Sequence, residues 1–267
     1  MEDNLLLRLS EDQRLTRFFK VAHVLQQIAI KQTDLLRAYE KNNKDSLHPG
    51  FLYFINTVEG FWENFDFIIS LGKRRERVMA HYPARSMLET LFRVEHYINH
   101  KKEGQNYIAD VEILRIWKRL YDEGLSKQTD IQRVKDSYNA VLENAALDKD
   151  PLFLIDTVKE RQLDPFPSLE QLTQQSRLSQ AKDWYFHYRI LCEHSHAKLV
   201  ASIMRSSDPK RQYRQMLMYG CFFAKEMLMV VDHHILMVVD HHIKGATKQD
   251  VKDALIRVED IVKAKIK

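Results

Sequence analysis

The sequence is poor in the residues that interrupt helices. Its 7 glycines and 6 prolines in 267 residues are less than half of ordinary usage, so it offers few places for tight turns. A sandwich or barrel of many short strands, which needs a turn about every ten residues, is therefore not expected. Cysteine is scarce too. Cys192 and Cys221 are the only two and have no Cys-x-x-Cys spacing, which argues against a disulfide framework and points to reduced thiols in a cytoplasmic compartment. The excess of one charge sign is small: 41 Lys and Arg stand against 37 Asp and Glu, a net charge of +4. These charges are interspersed, and the one basic cluster, Lys73, Arg74, Arg75 and Arg77, is broken by Glu76 and reads as a solvated turn rather than a nucleic-acid patch.

Long hydrophobic runs are missing as well. The most apolar stretch, Met216–Ile243, is interrupted by Lys225, Glu226, Asp232 and two His pairs, so it lacks the roughly 20 apolar residues of a membrane span and reads as a core helix. Met1–Ser10 shows no basic segment followed by an apolar run, so no export leader is expected. A dinucleotide-binding glycine fingerprint, a P-loop, a His-Glu-x-x-His zinc motif and a Gly-x-Ser-x-Gly elbow are all absent. The commonest cofactor and hydrolase chemistries have no foothold, and no cofactor is expected.

What is present is helical periodicity. Ser10 with Gln13 forms a capping-box signal, and Leu15, Phe18, Phe19, Ala22, Leu25 and Ala29 then recur at helical spacing, predicting a first helix that stops before Lys44. His48-Pro49-Gly50 predicts a turn, followed by a deeply buried second helix from Phe51 to Leu71-Gly72. A third is expected over Lys73–His100, kinked or truly begun at Pro83. Further helices are predicted over Gln105–Glu123, Asp130–Leu147, Leu169–Gln175, Ser179–Met204 and Lys210–Lys244, with a final one capped by Thr247 and Asp250. The expected fold is all-α, a multi-helix bundle of long antiparallel helices without significant β-sheet.

Pro151, Pro165 and Pro167 mark 148–167 as a folded connection. The chain is thus one helical domain over 1–267, or two packed halves, 1–147 and 168–267. The string LMVVDHHI over Leu228–Ile235 recurs letter for letter over Leu236–Ile243. Eight residues overshoot two helical turns by about 80°, so the copies present different faces, and a tandem duplication inside one helix accounts for them. His234 and His241 do share a face, but seven residues separate them by about 10.5 Å along the axis, too far for one ion. No metal site is expected there.

Residues able to carry chemistry concentrate on two helices. Arg85, Ser86 and Glu89 lie in the string ARSMLET, where the four-residue spacing lets Arg85 pair with Glu89, and His96 follows three turns on. Turned inward, such a pair would hold a side chain from a neighbouring helix. The string YRILCEHSHAKL is the expected neighbour. Arg189 and His196 lie seven apart with Cys192 and Glu193 between them, so a fixed cation, a carboxylate and a titratable imidazole are expected along one stripe; His187 and His194 make a second seven-spaced pair on another face.

In these strings the chain resembles an uncharacterised family of all-helical bacterial proteins, a domain of unknown function marked by an Arg-Ser-x-x-Glu helix and a later Tyr-Arg-x-x-Ser/Cys-x-x-x-His helix. Arg85, Ser86, Glu89, Tyr188, Arg189, Cys192 and His196 match those positions, and the resemblance spans roughly Phe51–Leu228. It implies a helical fold and no established activity. The Arg189 to His196 spacing also resembles the Arg-x4-6-His signature of HEPN domains, many of which are metal-independent ribonucleases of toxin and defence systems that act as paired modules. That likeness implies Arg189 steadying a phosphate and His196 moving a proton on RNA, with Glu193, Glu89 and Arg85 in support and a homodimer completing the cleft. Ile190 departs from it, since HEPN ribonucleases tend to carry a polar residue directly after the arginine. Three readings follow: an interaction or regulatory module with an unidentified protein partner, in which the Arg, Glu and His residues form a structural polar network; a HEPN-like ribonuclease; and a metal-binding helical bundle.

Overall fold

The structure is a computed structural model. It describes residues 10–44, 47, 49–72, 77–101, 104–106, 108, 109, 111, 112, 115, 116, 119, 166–178, 180–195, 208–238, 253 and 256. Among the described residues every regular element is a helix and there is no strand. The order is α1 (Glu11–Asn43), α2 (Pro49–Leu71), a 3-10 turn (Arg77–Ala80), α3 (His81–Asn99), α4 (Leu169–Gln175), α5 (Ala181–Ser195) and α6 (Pro209–Val238).

Helix starts follow local chemistry. Ser10 accepts from the Gln13 backbone N–H at 3.3 Å while the Gln13 side chain accepts from the Ser10 backbone N–H at 2.9 Å, which is the expected capping box of α1. Ser168 and Gln171 make the same reciprocal pair ahead of α4. Pro49 and Gly50, expected to form a turn, are instead the first residues of α2. Proline fits there because its missing N–H falls on a position with no helical acceptor. The helix expected over Lys73–His100 is likewise shorter: α3 begins at His81, with Pro83 in its first turn and the 3-10 turn before it. Of the basic cluster, Lys73, Arg74 and Arg75 lie outside the described residues. So do the expected helix over 130–147, the connection apart from Phe166 and Pro167, and the second LMVVDHHI copy beyond Val238.

α6 organises the bundle. It packs against α1, α2, α3 and the 3-10 turn, while α5 packs on α3 and α4. Its inward face, Tyr213, Leu217, Ala224, Met227, Leu228 and Val231, is fully buried and meets Leu25 and Leu36 of α1, Phe61, Phe65 and Ile68 of α2 and Leu88 and Leu91 of α3 in one core. The spacing of these residues is that of a helix stripe turned to a core. Polar hooks fix the register. Tyr213 donates its hydroxyl to the Ile68 carbonyl at 2.9 Å, and Gln32 donates its amide to the Leu228 carbonyl at 3.1 Å, both in buried surroundings.

Gly72 is where α2 ends against this arrangement. A Cβ there would overlap the Phe19 ring and the Tyr213 phenol, so the position is glycine for space. Gly72→Ala is expected to cost about 1–3 kcal/mol through overpacking. Tyr213→Phe, which leaves the Ile68 carbonyl without this donor, should cost about 1–2 kcal/mol. Urea unfolding of each variant checks both, and a Gly72→Ala protein as stable as the parent would refute the packing account.

His234 belongs to this core. It is 3% exposed, with its ring 4.8 Å from that of Phe54 and 6.4 Å from that of Tyr97, whereas its neighbour His233 is exposed. Burial, with His233 adding to it, pushes the His234 pKa down from 6.5 to about 4. Because the unfolded chain takes up the proton first, stability is complete above pH 6.5 and falls as the pH drops toward 4, by up to about 3 kcal/mol. The melting temperature should fall over that window, and His234→Phe, which keeps the ring contacts without the titration, should flatten the fall.

Candidate functional site

α3 and α5 meet through the residues the two sequence strings supply. Arg85 and Glu89 sit on one face of α3, and the Arg85 Nε donates to Glu89 Oε1 at 3.1 Å. Tyr188 of α5 reaches across to them. Its hydroxyl donates to the same Glu89 oxygen at 2.8 Å and accepts from an Arg85 terminal nitrogen at 3.4 Å. The guanidinium carbon also lies 5.4 Å from the Tyr188 ring centroid, within range of a cation–π contact. Three side chains therefore close a ring of mutual contacts between helices that are about a hundred residues apart in the chain.

The electrostatics follow from partial burial. Arg85 and Glu89 keep 30% and 32% of their side-chain surface exposed. Burial pushes the Tyr188 phenol well above its ordinary range, helped by Cys192 one turn along α5 and by Glu89. The phenol is thus held as a donor to the carboxylate. For Arg85 burial works against the charge, but Glu89 and Tyr188 outweigh it and the pKa rises. Ser86, the other motif residue on α3, accepts at 3.3 Å from Asn64 and so ties α3 to α2.

The expected stripe on α5 is not a single surface. Cys192 is half-buried beside Tyr188, but Arg189 is exposed. The reason is geometric: the face that packs on α3 carries Tyr188 and Cys192, four apart, and a one-residue step from Tyr188 turns Arg189 by about 100°. Glu193 and His194 lie on α5, but only their backbone is described, and His196 lies outside the described residues. His187, expected on a separate face, is bound to α6. Gln215 donates to the Tyr219 hydroxyl at 2.8 Å, and that hydroxyl lies 2.9 Å from His187 Nδ1. The Tyr219 hydroxyl thus links Gln215 of α6 to His187 of α5. Burial lowers the His187 pKa, against an opposing effect of Asp183.

A second cross-helix contact escaped the sequence reading. Glu95 of α3, 6% exposed, accepts from the Ser176 hydroxyl at 2.5 Å and from the Arg177 backbone N–H at 2.8 Å. It thereby anchors the turn between α4 and α5. The available signal was a carboxylate on the apolar face of α3, which needs a partner if buried. His96 stands near this turn, not near Arg85: its ring is 4.4 Å from that of His100, and both border a cavity of about 200 Å³ between α3 and α4. Among the described residues no three His, Cys, Asp or Glu side chains group closely enough to hold a metal ion, and no helix is long and apolar enough to cross a membrane. Compared with protein families, curated proteins and solved structures, the chain matches none.

The geometry makes the seat of α5 on α3 depend on Tyr188, and Arg189 is exposed. Tyr188→Phe should destabilise by about 1 kcal/mol, near the middle of the range for one hydrogen bond because the site is partly exposed. Arg189→Ala should stay within about 0.5 kcal/mol. A double-mutant cycle of Tyr188→Phe with Glu89→Gln should show coupling of at least about 0.5 kcal/mol, and strictly additive effects would refute a direct bond.

Proposed function

We propose that the protein is an interaction or regulatory module in which Arg85, Glu89 and Tyr188 form a structural polar network that sets the register of α5 on α3. The observation that carries this reading is the closed set of contacts among the three side chains: the carboxylate and the guanidinium are already engaged by protein groups at the place where the sequence concentrates its polar motif. A partly buried network of this kind specifies one arrangement of helices at some cost in desolvation, which is its best-attested use. The Arg85, Glu89 and Tyr188 contacts support this reading, and Arg189 is exposed one residue further along α5.

A HEPN-like metal-independent ribonuclease is the second reading, favoured by the exposure of Arg189, which leaves that position accessible to a phosphate. It requires Arg189 and His196 to converge on one RNA strand, in one chain or across a homodimer. The two readings separate in one assay. Purified protein is incubated with end-labelled total RNA in the absence of divalent metal, beside Arg189→Ala and His196→Ala proteins whose melting is checked. The module reading expects intact RNA throughout. Cleavage by the parent that both variants lose without a change in melting temperature would overturn it.

A further inference from the structure

α1 and α2 leave between them an open groove of about 530 Å³. Its lining follows α1 from His23 to Asp34, about three helical turns or 16 Å, and α2 from Glu59 to Asp66, about two turns. Asp34, Glu59, Glu63 and Asp66 all border it, and His23 is the only basic residue among the described lining. Glu59 is held by Arg37 of α1 at 2.5 Å and Asp66 accepts from Gln26 at 2.6 Å, so the helix pair itself partly holds the acidic rim in place. An acidic surface runs against the overall charge of +4.

The groove also has an apolar strip. Ile30 is 61% exposed, the second most exposed large hydrophobic residue among those described. Trp62 forms part of the wall at 8% exposure, and its indole N–H is buried without an acceptor.

We propose that this groove docks a cationic amphipathic helix presented by a protein partner. The proposal rests on the interaction-module reading and names the chemistry of its partner. Two helical walls, an apolar strip between them and carboxylates along the rim are what a helix recognises when it lays apolar residues inward and Lys or Arg outward at its edges. The same carboxylates repel a phosphate backbone, and they repel the identical groove of a second copy. An exposed Ile30 without a cover is the remaining cost, and a helix of this kind removes it from water.

The test is the fluorescence anisotropy of a labelled synthetic lysine–leucine helix, about 15 residues long so that it forms a helix, titrated with the full chain at low salt. Binding is expected, with the Asp34→Lys, Glu63→Lys double variant weakening it at least about tenfold through charge reversal. Ile30→Ser, which changes no charge, should weaken it about fivefold. Asp183→Lys, an exposed acid on α5, should leave it unchanged. Equal weakening by Asp183→Lys would show general attraction between charges and overturn the proposal. Displacement by spermidine as effective as by unlabelled peptide would assign the groove to a small polycation instead, and a dimer of the parent that the double variant abolishes would assign it to a second copy. Absence of binding overturns the groove but leaves the module reading, which fails only on RNA cleavage in its own assay.

Discussion

Everything described in this protein depends on burying one face of α6 between helices that precede it by more than a hundred residues. Tyr213, Leu217, Ala224, Met227, Leu228 and Val231 form one stripe that α6 cannot cover by itself, so they leave water only when α1, α2 and α3 assemble around them. Three polar contacts keep that packing in register: Tyr213 on the Ile68 carbonyl, Gln32 on the Leu228 carbonyl and, near the start of α6, Lys210 paired with Asp12. The first two are buried, and an exposed pair such as the third contributes little by comparison. Gly72 belongs to the same constraint, because only a residue without Cβ lets the end of α2, Phe19 and Tyr213 occupy one place.

α5 is attached to this core by a different means. Trp184 and Leu191 contribute apolar burial, but the contacts that choose its orientation are polar: Tyr188 on Arg85 and Glu89, His187 on Tyr219, and Glu95 on the turn before it. Hydrogen bonds are directional where apolar contact is not, so a helix held in this way has one seat rather than several related ones. The seat also decides which residues face solvent. With Tyr188 turned to α3, Arg189 is exposed, because one residue along a helix is a turn of about 100°.

The groove between α1 and α2 adds a surface of its own. The acids that border it are dispersed over two helices in sequence, at Asp34 and then from Glu59 to Asp66, and no run of like charge betrays them. They come together because Arg37 bridges to Glu59 and Gln26 to Asp66 across the helix pair. A chain of almost balanced composition can in this way present a locally acidic face.

The helices themselves were legible in the sequence. Few glycines and prolines, helical spacing of apolar residues and the Ser10–Gln13 box determine α1 almost to the residue, and Pro83 marked the start of α3, because these are interactions within one turn of chain. The pairing of Arg85 with Glu89 was legible for the same reason. What sequence could not decide was which way each helix turns once packed: that Pro49 opens a helix rather than a turn, that Tyr188 and not Arg189 faces α3, that Glu95 finds its donors at Ser176 and Arg177, and that Trp62 borders an acidic groove. Those outcomes are set by side chains distant in the chain competing for one buried space, and a helix can be rotated by 100° without any change in its own hydrogen bonds. Tertiary packing alone makes that choice, because only there does the rotation change what is buried.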